Sequence, residues 1–341
     1  MINKIIVLNR ALKNSGDFLI AERFLELLIY HCPKCEVYRA NAYEPLPRRI
    51  FDLLGEKNTR IVIPGGPGLA NNMFENLYPI VPISDLGDIP LYIFGIGTYM
   101  KQSEKINDKT KKQLMTIVNR QGYIGVRDTN SYQVLSSSRI PVKILGCPAW
   151  YNLDNILGYR KFTSRDKPFK VILTAPSLTK NFDDFIAITK KINKFLTSEI
   201  SVLFNRGIFF DSLTSQKQEE NNVSLISALS KTNKDIKIIN GEYSTATFNL
   251  TSIFDLHIGY RVHTHVDFRS KGKISYIIKE DERAVGMVSS MDDLDLILSP
   301  EELEENFINN LSKETYLNRN NPIIANNFVG LKDGFFKTLL E

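Results

Sequence analysis

Short apolar runs alternate along the chain with stretches whose apolar residues recur at helical spacing. The run Asn3–Asn9 predicts a strand. In Asp17–His31 the residues Phe18, Leu19, Ala21, Phe24, Leu27 and Leu28 fall on one face of a helix that would pack on a sheet. Further strands are predicted at Glu36–Arg39, Arg60–Pro64, Leu91–Gly95, Tyr123–Val126 and Val142–Leu145, with a helix over Asp108–Gln121. Strands separated by helices imply right-handed crossovers and a parallel sheet.

The pattern breaks at Trp150–Lys170, where Gly158, Arg160, Lys161, Arg165, Asp166, Lys167 and Pro168 make a charged connection. It then restarts. Strands are predicted at Phe169–Ala175, Ile200–Asn205, Ile236–Ile239, Asp255–Gly259 and Lys273–Ile278, and helices at Asp183–Leu196, Val223–Lys231 and Thr245–Ile253. Ser299-Pro-Glu-Glu302 has the form of a capping box opening an acidic helix. The expectation is α/β with two Rossmann-like domains and a cleft between them. They are taken as residues 1–157 and 168–315, with a tail over 316–341 packing back.

Length agrees, since 341 residues exceed what one small core needs. The 43% hydrophobic and 24% charged residues are those of an ordinary globular protein. No apolar run spans a bilayer; the region Ile80–Tyr99 is broken by Asp85, Asp88 and Pro90. The opening Met1–Asn9 has too short an apolar core for a signal peptide, so a cytoplasmic location is expected, with the inner face of the membrane as a place of peripheral contact. The net charge of +5 suits anionic small substrates or an acidic membrane face and falls short of a nucleic-acid footprint. Cys32-Pro-Lys-Cys35 has redox or zinc spacing, but only Cys147 accompanies it, so two reduced thiols at a helix end are expected.

Ligands of parallel α/β folds bind at the carboxyl ends of strands, and five such ends carry polar or glycine residues. Asn14-Ser-Gly16-Asp17 opens the first long helix. Asp17 either caps that helix or acts as acid, base or hydroxyl acceptor beside Gly16. Pro64-Gly65-Gly66-Pro-Gly68 and Phe94-Gly95-Ile-Gly97 are either tight turns or cradles for an anion. In Gly125-Val-Arg127-Asp128 the arginine either grips a phosphate or carboxylate or pairs with Asp128, which would cap the next helix. Gly146-Cys147-Pro-Ala149 has no neighbouring histidine to activate its thiol.

The densest cluster is Phe254-Asp-Leu-His-Ile-Gly-Tyr-Arg-Val-His-Thr-His265, which holds three of the four histidines. It reads as a buried strand turning into a helix. Arg261 and His263 share one ligand only if they straddle the corner, with Arg261 at the cap and His263 in the first turn. There the helix dipole favours a neutral imidazole, and a bound dianion pushes the other way, which suits His263 to proton transfer. His265 lies a turn beyond Arg261 and is expected to support the site by local packing or hydrogen bonding.

Taken in order, Asn14-x-Gly16-Asp17, Gly65-Gly66, Gly95–Gly97, Val126-Arg127-Asp128, Cys147-Pro-Ala149 and Gly259-Tyr-Arg-Val-His263 resemble the polysaccharide pyruvyl transferases. Lys271-Gly-Lys273 and Glu282-Arg-Ala-Val-Gly286 resemble that family's last motif. The chain differs in the bulkier, more polar Thr264–Arg269 after the Arg-x-His triplet, and in Ile274 where a proline is usual. The resemblance implies a GT-B-like fold and transfer of pyruvate from phosphoenolpyruvate to two hydroxyls of a sugar, as a cyclic ketal on a cell-surface polysaccharide or its precursor. It implies a sugar or lipid-linked oligosaccharide acceptor and needs neither metal nor redox cofactor. Under it Arg127, Arg261, Gly65, Gly66 and Gly95 bind the donor. Asn14 and Gly16 bind the acceptor, His263 shuttles protons, and Asp17 orients or deprotonates a hydroxyl. Two other readings fit the same residues: a GT-B-type glycosyltransferase using a nucleotide sugar, and a catalytically idle binding relative.

Overall fold

The computed structural model of the chain describes residues 3–79, 86, 88–152, 170–195, 199–271, 273–290, 297–298 and 323–341. The expected domain boundaries at 157, 168 and 316, the charged connection and the capping box at Ser299 lie outside these residues.

The first half forms β1 (Lys4–Asn9), α1 (Ser15–His31), β2 (Glu36–Asn41), α2 (Arg48–Phe51), β3 (Thr59–Ile63), β4 (Gly66–Leu69) and α3 (Met73–Asn76). It continues through β5 (Leu91–Thr98), α4 (Asp108–Asn119), β6 (Tyr123–Val126), α5 (Thr129–Ser137) and β7 (Lys143–Ile144). Its strands are all parallel, ordered β2-β1-β3-β5-β6-β7, with β4 also paired to β5. The second half forms β8 (Lys170–Thr174), α6 (Phe182–Phe195), β9 (Glu199–Phe204), α7 (Gln216–Thr232), β10 (Lys237–Asn240), α8 (Ala246–Thr251) and β11 (Leu256–Gly259). Then come α9 (Val262–Ser270), β12 (Ile274–Ile278), α10 (Glu282–Ser289), β13 (Ile297–Leu298) and α11 (Ile323–Leu340). The second sheet is again parallel, ordered β10-β9-β8-β11-β12-β13.

Three elements depart from expectation, each for a local reason. β5 runs on to Thr98, so Gly95 sits within a strand, where the register with β6 shifts between Ile93 and Ile96. Gly66–Leu69 pairs with β5 as a strand rather than forming only a loop. α7 begins at Gln216, not Val223, because Ser215 caps it by accepting from the Gln218 N–H at 3.2 Å. That polar first turn has no apolar period to betray it. The cysteine expectation is also corrected: Cys32 and Cys35 form a disulfide across the turn after α1, their Cα atoms 5.4 Å apart and within bridging reach.

Each sheet buries apolar residues on both faces, as parallel sheets require. Ile6, Leu8, Ile61, Ile63, Ile93 and Val126 face one side of the first sheet, while Ile5, Val7, Val62 and Phe94 face the other. The second face is closed by α1 and by the end of α11, whose Phe335, Phe336 and Leu339 pack on Phe24 and Phe94. A further cluster joins the halves: Leu19 and Ile20 of α1 meet Val262 and Val266 of α9 and Met287 and Val288 of α10. Fully burying such side chains is worth about 1.5–3 kcal/mol each. The Ser15 N–H donates to the Asn205 carbonyl at 3.0 Å, and Asn205 Nδ2 donates to Ser15 Oγ and Thr264 Oγ1. The bulk and polarity of Thr264 are therefore used at the seam between the halves.

Candidate active site

In each sheet the strand order reverses once, between β1 and β3 and between β8 and β11. A ligand crevice is expected outside the carboxyl ends at such a switch point. One cavity of about 310 Å³ spans both. It is walled by Asn9 and Arg10 after β1, Pro64 to Pro67 after β3 and Arg127 after β6. Ser177 and Leu178 after β8, Asn205 and Arg206 after β9, Tyr260 to His263 after β11 and Glu280, Asp281 and Arg283 after β12 line the other side.

The second-sheet wall follows the expected corner. Arg261 is the N-cap of α9, in extended conformation, and its side chain makes no capping hydrogen bond. It points into the cavity instead, where Nη1 donates to Ser177 Oγ and the buried Nε has no partner. Burial is the main cause that lowers its pKa to about 10, with Glu280 opposing. His263 stands in the first turn, lines the cavity and carries a buried Nε2 with no hydrogen bond. Burial first, and then the charges of Arg127, Arg283 and Arg261, lower its pKa to about 3, so the ring is neutral at pH 7. His265 does not reach the cavity. It is buried between α9 and β12, with Nδ1 2.8 Å from Ser275 Oγ, which in turn lies 2.7 Å from His257 Nδ1.

The first-sheet wall settles several open readings. Asn14, not Asp17, is the N-cap of α1, its Oδ1 accepting from the Gly16 N–H at 3.2 Å. Asp17 is therefore free of capping; its Oδ2 accepts from Asn14 Nδ2 at 3.3 Å, and its shielded Oδ1 has no partner at the cavity wall. Burial raises its pKa against the lowering pull of Arg10 and Arg206. Gly16 is not at the cavity surface but behind His263. A Cβ there would stand 2.2 Å from His263 Nδ1, so only glycine lets α9 come this close to α1.

Arg127 pairs with Asp128 and also lines the cavity. Its Nε donates to Asp128 Oδ2 at 2.8 Å, Asp128 Oδ1 caps α5 through the Ser131 N–H at 2.8 Å, and Nη2 remains buried without a partner. Gly65 and Gly66 line the cavity with φ of 80° and 85°, in the left-handed region glycine favours. Gly95 does not; it packs against the Gly146 carbonyl and Pro148 one layer below.

Three cavity arginines escaped the sequence reading: Arg10, Arg206 and Arg283. Arg10 directly follows the end of β1 and Arg206 stands two residues past the end of β9, close to the signal that singled out Arg127, but no glycine or histidine marked them. Arg283 grips Asp281 through Nε and Nη2 at 2.6 to 3.0 Å, and its guanidinium sits 4.5 Å from the Tyr99 ring centroid across the cleft. Among the described residues no cluster of three or more His, Cys, Asp or Glu is placed to hold a metal ion, and no helix is long and apolar enough to cross a membrane.

Known structures share this architecture. A UDP-N-acetylglucosamine 2-epimerase from Rickettsia bellii superposes with a TM-score of 0.58 at 9% identity, covering 100% of this chain and 96% of its own. The UDP-GlcNAc 2-epimerase from Neisseria meningitidis bound to UDP-GlcNAc gives 0.54 at 12%, covering 99% of both chains. A glycosyltransferase from Rickettsia africae ESF-5 gives 0.52 at 12%, covering 99% and 93%. At these identities the likeness speaks for the fold, which is GT-B-like. No curated protein sequence matches the chain. The family model for polysaccharide pyruvyl transferase matches residues 14–266, from the cap of α1 into α9, and stops before the segments at Lys271 and Glu282. With Asn14, Asp17, Arg127, Arg261 and His263 all inside that span and all at one cavity, the chain belongs to the polysaccharide pyruvyl transferase family.

Proposed function

We propose that the protein moves pyruvate from phosphoenolpyruvate onto two hydroxyls of one sugar, as a cyclic ketal, in the making of a cell-surface polysaccharide. One observation carries this reading. Arg127 from the first sheet and Arg261 from the second meet in one cavity with two acid–base groups, His263 Nε2 and Asp17 Oδ1, that lack partners. Phosphoenolpyruvate carries a phosphate and a carboxylate, so it calls for two cationic grips.

The steps balance as follows. The donor's methylene carbon takes a proton, and its neighbour C2 gains oxocarbenium character. The first sugar hydroxyl bonds to C2 and gives up its proton. The C2–O bond to phosphate then breaks, and the second hydroxyl bonds to C2 and gives up its proton. One released proton replaces that consumed at the methylene, and the other leaves with phosphate. His263 is neutral in the empty cavity, and a bound dianion, which raises its basicity, suits Nε2 to take the hydroxyl proton. Asp17, biased by burial toward its protonated form, is better suited to give a proton to the methylene than to deprotonate the acceptor. Arg127, Arg261 and the Gly65–Gly66 turn hold the donor in this scheme, and Asn14 borders the space left for the acceptor. Gly16 contributes by letting His263 reach its place.

The test is a donor screen read by mass spectrometry and phosphate release. Phosphate release from phosphoenolpyruvate, with an acceptor gaining the mass of a pyruvate ketal, is the expected result. Consumption of a nucleotide sugar with phosphoenolpyruvate untouched would establish glycosyl transfer instead. Donor binding without turnover on any sugar would mark a binding protein.

A further inference from the structure

Arg10 and Arg206 stand outside that chemistry. Arg10 Nε and Nη2 both donate to the Tyr43 hydroxyl, at 3.2 and 2.8 Å. Its guanidinium lies 5.2 and 5.1 Å from the Tyr43 and Tyr78 ring centroids, which hold it in one orientation. Nη1, shielded and without a hydrogen bond, lies along the glycine turn, where a Cβ on Gly68 would come within 2.7 Å of it. Arg206 faces the same space from the end of β9 with an exposed side chain.

Neither has a carboxylate partner among the described residues, whereas Arg127 has Asp128 and Arg283 has Asp281. The remaining cavity carboxylates do not balance them. Glu280 is occupied by the N–H groups of Ser177 and Leu178, at 2.8 and 3.0 Å. Asp17 feels the charges of both Arg10 and Arg206, but burial, the larger influence, opposes its ionisation. Phosphoenolpyruvate already has Arg127 and Arg261. Two more cations in one cavity, one from each sheet and one of them locked between aromatic rings, call for a second anion.

We infer that Arg10 and Arg206 form a second anion subsite beside Asp17, which holds a phosphate or diphosphate carried by the acceptor. The inference rests on the pyruvyl-transfer reading for what occupies the other half of the cavity. It places the protein on activated, phosphate-bearing sugars before polymerisation. A neutral sugar at the end of a finished polymer would leave both arginines unmatched.

Calorimetric titration of the full chain with inorganic pyrophosphate, at saturating phosphoenolpyruvate, tests this. Pyrophosphate is expected to bind the wild type alongside the donor. R206Q, on an exposed side chain, and R10Q are each expected to weaken it about tenfold or more, the loss of one charge-assisted contact. Donor affinity should change less than about twofold in R206Q, given the same contact logic. Competition between pyrophosphate and phosphoenolpyruvate, or a pyrophosphate affinity indifferent to R206Q, overturns the subsite. Failure of phosphoenolpyruvate to bind the wild type overturns the pyruvyl reading, and the subsite then stands or falls on the pyrophosphate titration alone. A uridine-diphosphate sugar and a short-chain prenyl-diphosphate sugar, titrated likewise, separate a soluble from a lipid-borne phosphate. Binding of either at a cost to R206Q upholds the subsite, and binding of neither overturns it.

Discussion

The two strand-to-helix corners that bring arginines to the cavity are built alike and finished differently. At the β6–α5 corner Arg127 is followed by Asp128, and that one carboxylate caps the helix and pairs with the guanidinium. At the β11–α9 corner Arg261 is itself the N-cap, with no ion-paired carboxylate among the described residues and no side-chain cap on the helix. Free N–H groups at a helix N-terminus, an arginine without an ion-paired carboxylate and a histidine in the first turn leave this corner open to an anion. The first corner is largely satisfied by its own residues and offers only Arg127 Nη2. A binding corner thus differs from a structural one by what is left unpaired, not by which residue types are present.

The largest effect is expected at His263. His263→Ala should lower transfer about 10²–10⁴-fold, the usual worth of a positioned proton-transfer group, while the melting temperature holds. A fully active variant would remove the second corner from the chemistry.

The arginine pair divides the corners more finely. Arg127→Ala leaves Asp128, 1% exposed, as an uncompensated buried charge, so a stability loss of about 3–5 kcal/mol is expected in urea unfolding. Arg261→Ala breaks no ion pair and should instead weaken donor binding, by about 1.5–3 kcal/mol in calorimetry, with little loss of stability. If both variants lose stability alike, the two corners are equally structural and the contrast fails.

A pH dependence is expected as well, carried mainly by the buried histidines of the second corner. Burial holds His257 and His263 near a pKa of about 3 and His265 well below the ordinary 6.5. Below pH 6.5 the unfolded chain takes protons that the folded chain refuses, so stability falls as pH drops from 6.5 toward 3, by up to about 1.4 kcal/mol per pH unit for each histidine. Asp17 acts in the opposite sense, since its raised pKa adds stability that is lost as pH rises through its folded value. Urea midpoints at pH 7 and pH 5 should therefore differ, and His265→Gln should reduce the slope. Equal midpoints would show that the histidines are not held neutral.

Much of this was legible in the chain. The period of the apolar residues gave nearly every strand, because a strand buried on both faces must be apolar throughout. Arg261 at the cap and His263 in the first turn were readable from spacing alone, because a helix cannot bring residues two apart to one ligand except at its corner. The ordered motifs pointed to the family, and several, such as Gly65-Gly66, Arg127-Asp128 and Gly259 to His263, lie at strand ends, where backbone geometry leaves few choices.

What the sequence could not decide was how charges and close contacts are shared between distant segments. Whether Asp17 or Asn14 capped α1 depended on which side chain turned inward, and only the packed chain shows Asn14 doing so. Gly16 read as an acceptor contact until α9 was brought against it, and Gly95 as a donor contact until it was found beneath the cavity. Arg10 and Arg206 carry only a strand-end position, since a cation becomes a site only when folding removes its counter-charges from reach. Periodicity is a local property and survives in one dimension; the pairing of polar groups across a cleft is a tertiary one.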